Sequence, residues 1–281
     1  MKMLIDGRWV DSGETIEVRD PMDGSVVDTV PAAGRDDVAR ALSSAQAGFE
    51  VSRNMPVHQR SEILTNTARR VDAARDEFAE LIARESSKTI REARKEVSRA
   101  VKTLTVSAEE ASRISGETLP FDSFPGGENR EGYYMRVPVG IIVAITPFND
   151  PLNLVVHKVG PAIAGGNAVV LKPSTLTPLS ALKLAEEFLQ GGLPGNVLSV
   201  VTGWGQVIGD PLVTDPRVRM ISFTGGTEAG RQIVRKAGLK KIGMELGSNS
   251  PVIVMDDCDL DRAVELSVSG AFWAAGQNCL G

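Results

Sequence analysis

The sequence predicts an α/β fold: an open, doubly wound, mostly parallel sheet of Rossmann-like type, with the start of a second α/β unit at its C-terminal end. Three observations carry this prediction. From Val139 onward, short apolar runs alternate with stretches of helical composition. Those runs are continuously hydrophobic, which is the pattern of strands covered on both faces. Before Val139 the chain has helical periodicity instead, enough to supply covering layers.

The first elements, over residues 4–31, are short strands joined by the turn signals Asp6-Gly7 and Asp23-Gly24. From about Asp36 to Gly116 the pattern is helical. Leu64, Ala68, Val71 and Ala74 recur at steps of three or four, and Phe78, Leu81 and Ile82 continue the spacing. Arg91 to Ile114 reads as a charged amphipathic helix that Gly116 and Pro120 stop. Residues 119–136, with Pro125-Gly126-Gly127 and Tyr133-Tyr134-Met135, form a loop leading into a strand. Buried strands are then predicted at Ile141 to Ile145, Ala168 to Leu171, Val197 to Val201, Met220 to Phe223 and Val252 to Met255. Helices are predicted at Leu179 to Leu189 and Glu228 to Lys236.

Composition narrows the function. The 281 residues are 42% hydrophobic and carry a net charge of −5, so there is no overall basic field to favour nucleic acid. Met1 to Val10 lacks the apolar core of a signal peptide, and no apolar run approaches membrane-spanning length, which points to a cytoplasmic protein. The two cysteines, Cys258 and Cys279, make no disulfide framework. With His58 and His157 they make no zinc-ligand cluster, so a mechanism without metal is expected. Cys258 sits among acids in Met255-Asp256-Asp257-Cys258-Asp259, a setting that discourages a nucleophilic thiolate, and reads as structural.

In doubly wound sheets, ligands bind beyond the carboxyl ends of the strands. Thr146-Pro147-Phe148-Asn149, Lys172-Pro173-Ser174-Thr175, the glycines 203, 205 and 209, and Thr224-Gly225-Gly226-Thr227 all follow predicted strands. The last opens a helix, where backbone N–H groups and the positive helix end suit a phosphate. A plain strand-to-helix turn has the same composition, and this is no G-x-G-x-x-G fingerprint. Lys172 either snorkels from its strand or reaches a ribose or phosphate. Asn149, before Asp150-Pro151, is a turn residue or a donor to a developing oxyanion. Glu245, between Met244 and Leu246, is a salt-bridged strand end or a general base in an apolar pocket. Cys279, after Gly276-Gln277-Asn278, is a small buried hydrophobe or a nucleophile.

The order and spacing of Pro147-Phe148-Asn149, Leu171-Lys172-Pro173-Ser174, Phe223-Thr224-Gly225-Gly226, Met244-Glu245-Leu246-Gly247 and the segment ending in Cys279 resemble the aldehyde dehydrogenase superfamily along the whole chain. The resemblance implies NAD(P)-dependent oxidation of an aldehyde to a carboxylic acid. Cys279 would attack the carbonyl to give a thiohemiacetal, and Asn149 with the Cys279 backbone N–H would hold the oxyanion. Glu245 would activate water against the resulting thioester. Ile145, Thr146, Pro147 and Phe148 would line the cofactor's path, Lys172, Ser174 and Thr175 would meet the adenosine ribose, and Gly205 and Gly209 would flank the adenosine. Phe223, Thr224, Gly225, Gly226, Leu246 and Gly247 complete the implied cofactor set.

Many NAD-preferring relatives carry glutamate where this chain has Thr175, which cannot repel a 2′-phosphate and has a hydroxyl to donate to one. The cofactor is therefore NAD or NADP. Arg99 and His157 imply a small anionic or hydroxylated aldehyde, although Arg99 also reads as a surface helix charge. The resemblance further implies an NAD(P)-binding domain from residues 1–118 and 139–247. Residues 119–138 would be an oligomerisation arm of a homodimer or homotetramer, and 248–281 the opening of a catalytic domain. Family members continue well past the cysteine, so the chain reads as the N-terminal portion of that pattern. Two other readings stay open: a dinucleotide-binding or interaction module without catalysis, and an acyl-transferring, reductive relative. Glu245 argues against the second, because acyl transfer needs no hydrolytic base.

Overall fold

A computed structural model describes residues 1–279. The chain opens with β1 (Met3–Ile5) and β2 (Arg8–Val10), an antiparallel hairpin turned by Asp6-Gly7. Both turn residues have positive φ, 56° and 68°, which is why this turn takes Asp-Gly. A second hairpin, β3 (Thr15–Arg19) with β4 (Val26–Pro31), follows.

The long helical stretch resolves into α1 (Arg35–Asn54), α2 (Val57–Ala73), α3 (Arg75–Glu85) and α4 (Ile90–Ala111). Pro56 caps the start of α2. The start of α4 is fixed by a capping box, in which the Thr89 hydroxyl accepts from the Glu92 N–H and the Glu92 carboxylate accepts from the Thr89 N–H. Ala93, Val97, Ala100, Leu104, Ala108 and Ala111 form the buried stripe of α4. After α4, the short strands β5 (Glu117–Leu119) and β6 (Gly132–Tyr134) pair with each other alone, leaving Tyr133, Met135 and Val137 exposed.

The remaining elements alternate: β7 (Ile141–Ile145), α5 (Asn153–Ala164), β8 (Ala168–Lys172), α6 (Leu179–Gln190), β9 (Leu198–Val200), α7 (Gly205–Thr214), β10 (Val218–Thr224), α8 (Thr227–Ala237) and β11 (Lys241–Glu245). The sheet order is β11-β10-β7-β8-β9-β1-β2; the first five strands are parallel and the first hairpin adds an antiparallel edge. The predicted α/β, mostly parallel sheet is the observed one. Neighbouring residues along a strand enter opposite layers. Val169 and Leu171 pack with α2, α4, α5 and α6, whereas Ala168 and Val170 pack with α1 and α7. That two-sided burial is the origin of the uninterrupted apolar runs. Helices α5 and α7 were not predicted, because Pro161 in one and Gly209 with Pro211 in the other break the helical signal.

Two expectations fail in the last segment. Val252 to Met255 is not a strand: it is irregular and 51–79% exposed. No strand lies beside it among the described residues, and an extended segment needs a ladder partner for its backbone groups. Cys258, read as structural, is exposed and packs into no core. The segment continues as α9 (Leu260–Ala271), which buries none of its residues, and a 3₁₀ turn over Trp273–Gly276. Leu280 and Gly281, the last two residues of the predicted catalytic opening, lie outside the described residues.

Candidate active site

Strand order reverses at β7: the chain moves from β7 to β8 on one side, then returns to place β10 on the other. Such a switch point opens a crevice at the carboxyl ends of the strands. A cavity of about 700 Å³ lies there. It is lined by Pro147, Phe148 and Asn149 from the turn after β7, His157 and Lys158 from α5, and Thr224, Gly225 and Gly226 after β10. Glu245, Leu246 and Gly247 from the end of β11 and Gly276, Gln277, Asn278 and Cys279 close it. The three residues expected to do chemistry, far apart in sequence, therefore share one wall-to-wall space.

Each arrives by a different local device. Asn149 sits half-buried, and its Oδ1 is buried without a hydrogen-bond partner. Cys279 is exposed. It follows a left-handed run in which Ala274 and Ala275 have φ of 51° and 56° before Gly276 at 76°. Such backbone is uncommon for alanine and is held by surrounding contacts. The Ala274 N–H donates to Glu92 Oε1 at 3.2 Å, and Asn278 Nδ2 donates to the Trp273 carbonyl at 3.2 Å. The Cys279 carbonyl accepts from Ser250 Oγ at 3.2 Å. Glu245 closes β11 and is exposed rather than enclosed by Met244 and Leu246 as the sequence suggested. A strand sends alternate residues to opposite faces, and β11 is the sheet edge, so apolar sequence neighbours do not surround it.

Lys158 was missed by the sequence reading. Its Nζ donates to Ser222 Oγ at 3.1 Å, and burial pushes its pKa down to about 8 against the opposing pull of Glu245. Its signal was a lone cation following Val155, Val156 and His157 on an otherwise apolar helix. His157 faces the cavity. Partial desolvation, then the positive charges of Arg99 and Lys158, hold its imidazole below the ordinary histidine value. Arg99 is not a free surface charge: its guanidinium donates to Asp150 Oδ2 at 3.1 Å. It lines a second cavity of about 630 Å³ that adjoins the first through His157 and also holds Lys102 and Ser107.

The remaining cofactor candidates spread from this cavity along the strand ends. Ile145 pairs with Lys172 across β7 and β8, and the Thr146 N–H donates to the Lys172 carbonyl. Lys172 is buried, which lowers its pKa to about 8, and among the described residues its Nζ finds only the Pro173 carbonyl, at 3.1 Å. Ser174 Oγ accepts from the Leu176 N–H. The Thr175 hydroxyl donates to the Gly203 carbonyl at 3.2 Å, so the donor expected to be free is already engaged. Phe223 is a core residue whose ring supports Gly225 from below, where an added Cβ would meet it at 2.6 Å. Gly205, Gly209 and Gly226 differ: an added Cβ at any of them meets nothing within 4 Å. Nothing inside the chain requires glycine there, and two of the three stand at the amino ends of α7 and α8. Bare backbone at helix starts, with a buried lysine nearby, fits an elongated phosphate-bearing ligand of dinucleotide type.

The sequence matches the profile of the aldehyde dehydrogenase family over residues 9–281. It is 55% identical over 266 residues to aspartate-semialdehyde dehydrogenase 1 of Pseudomonas canavaninivorans, covering 95% of this chain and 56% of that protein. It is 45% identical over 278 residues to 3-sulfolactaldehyde dehydrogenase of Priestia aryabhattai, covering 99% and 58%. The crystal structure of NADP-dependent glyceraldehyde-3-phosphate dehydrogenase from Bacillus halodurans C-125 complexed with NADP superposes with a TM-score of 0.95 at 39% identity, covering 99% of this chain and 59% of that one. The chain thus spans a little over half the length of these relatives.

Proposed function

The chain belongs to the aldehyde dehydrogenase family, and on that premise we propose that the protein carrying it oxidises a small anionic aldehyde to the carboxylic acid with NAD or NADP. The observation that supports this most is the single cavity lined by Asn149, Glu245 and Cys279, drawn from three separate elements. The Cys279 thiolate adds to the carbonyl carbon, forming a C–S bond and an oxyanion. The Asn149 amide donates to that oxygen as it gains charge. When bound, the nicotinamide dinucleotide supplies the acceptor for the hydride that leaves the adduct. Lys172 and the start of α8 at Gly226 would hold its ribose and phosphates, and Gly205 and Gly209 would flank its adenosine. Glu245 then takes a proton from water, the water oxygen attacks the thioester carbon, and the C–S bond breaks to restore the thiolate. Lys158 lines the same cavity, where the charge of Glu245 favours its protonated form.

Arg99 and Lys102 bring two cations to the adjoining cavity against the single carboxylate of Glu110, and the neutral imidazole of His157 adds a hydrogen-bonding group, which together favour a substrate with a carboxylate, sulfonate or phosphate at its far end. The sulfolactaldehyde, aspartate-semialdehyde and glyceraldehyde-3-phosphate enzymes named above act on substrates of this charge. Glu245 in the cavity favours hydrolysis of the thioester over its transfer. The hairpin of β5 and β6, with its exposed Tyr133 and Met135, is part of the same proposal as an arm joining subunits of a homodimer or homotetramer. Residues 248–281 begin the catalytic domain in this reading, and the location is cytoplasmic.

The test is pre-steady-state kinetics on the active polypeptide. Cys279→Ala is expected to abolish NAD(P)H formation with dinucleotide binding retained. Glu245→Gln is expected to keep a burst of NAD(P)H and slow later turnovers by about 100-fold. Near-normal turnover in Cys279→Ala removes the covalent mechanism.

A further inference from the structure

A charged group gathers at the start of α4, and three of its members, Lys88, Glu96 and Asp150, take no part in the proposed chemistry. Lys88 precedes the helix, and its side chain is 1% exposed. Its Nζ is held between the carboxylates of Glu96, itself fully buried, and Asp150. The aromatic ring of Trp273 lies over the same ammonium at 5.8 Å. Glu96 turns its second oxygen to the start of α5, where Oε1 accepts from the Leu152 N–H at 2.8 Å and the Asn153 N–H at 3.0 Å. Arg99 reaches the other oxygen of Asp150.

Burying two carboxylates with one ammonium is costly, and a sequence retains such a group when hydrophobic packing cannot do the same work. Here the group has one geometric consequence. Asn149 precedes Asp150 and stands four residues before Asn153, the first residue of α5. The chain on its C-terminal side is therefore pinned at Asp150, Leu152 and Asn153, while its own side chain makes no hydrogen bond. A backbone bond from the Thr146 N–H to the Lys172 carbonyl pins the N-terminal side. An oxyanion donor works only if it is already aimed when charge develops, and a shift of about 1 Å costs about 100-fold in rate.

We propose that Lys88 is a positioning residue for Asn149: through Asp150 and Glu96 it fixes the turn that presents the Asn149 amide to the cavity. Trp273 brings the segment leading to Cys279 against the same ammonium, so the donor and the nucleophile share one anchor. The inference rests on the role given to Asn149 in the proposed function.

The experiment is a double-mutant cycle on the active polypeptide, read as the single-turnover rate of NAD(P)H formation. Lys88→Arg keeps the charge and is the main variant; Lys88→Met is the harsher one, used if it folds. Lys88→Arg is expected to slow the single turnover about tenfold with dinucleotide affinity unchanged. In an Asn149→Ala background, the same change is expected to cost less than about twofold, because its route to the reaction is gone. A merely structural role predicts equal costs in the two backgrounds, and that outcome overturns the proposal. So does a normal rate in Lys88→Arg and Lys88→Met together. If Asn149→Ala alone leaves the rate unchanged, the oxyanion role itself falls, and the positioning role with it. Additive losses with a slow Asn149→Ala instead spare the site and remove only Lys88.

Discussion

Ala168 to Leu171 and Val252 to Met255 are apolar runs of equal length, yet the first lies in β8 at no more than 1% exposure and the second is exposed irregular chain. Each leads toward the candidate site, one ending at Lys172 and the other preceding Cys279. The difference is not in their residues. β8 has β7 and β9 on its two edges and a helical layer on each face, whereas Val252 to Met255 has none of these among the described residues. Hydrophobicity states what a segment gains by burial; neighbours decide whether it is buried.

The sharpest way to break this comparison is to place the same charge in both runs. Val170→Asp puts an unpaired carboxylate between two apolar layers, and the expected cost of several kcal/mol is a large share of a domain's stability. Val254→Asp is expected to shift stability by less than about 0.5 kcal/mol. It should also reduce self-association of the 281-residue chain, since exposed apolar patches drive it. Urea unfolding and light scattering measure both. Equal destabilisation by the two substitutions would mean that Val252 to Met255 is packed in solution.

A smaller effect tests whether the packed region alone reads the cofactor. Thr175→Glu places a carboxylate at the end of β8 and is expected to weaken NADP binding about tenfold more than NAD binding. Titration of the 281-residue chain with each dinucleotide measures it. Equal losses would show that residue 175 does not face the ribose.

A further effect concerns pH within the packed region. Glu85 is fully buried, and burial raises its pKa to about 7 despite hydrogen bonds from Ser180 and Leu179. A carboxyl whose folded pKa lies above its unfolded value binds more protons when folded. Its stabilising contribution is complete below about 4.5 and is lost as pH rises through about 7. Glu85→Gln is expected to flatten the stability profile between those limits, by up to about 3 kcal/mol. An unchanged slope in urea titrations at pH 5 and pH 7.5 would show that Glu85 does not titrate there.

Much of the candidate site was legible because its motifs sit at strand ends, where polar residues and glycines interrupt a simple apolar pattern: Asn149 after β7, Glu245 closing β11, the glycines at helix starts. Lys158 and the group around Lys88 were not legible. On sequence alone, a lysine on a charged helix is indistinguishable from one that meets two carboxylates brought from residues 8 and 62 positions away. Thr175 shows the same limit at short range, since its hydroxyl is taken by a carbonyl 28 residues distant.

By itself the sequence determined the parallel sheet, because strands buried on both faces must be apolar at every position, and it determined which strand ends carry polar groups. Only the tertiary structure decided which of those ends converge. Strand order places β10 beside β7, and that adjacency brings Asn149 and Thr224 to one crevice. The structure also decided that Glu245 is exposed, that Phe223 is core and that Val252 to Met255 stays unpaired. In each case the outcome depends on what lies across a gap in space, and residue order carries no record of that distance.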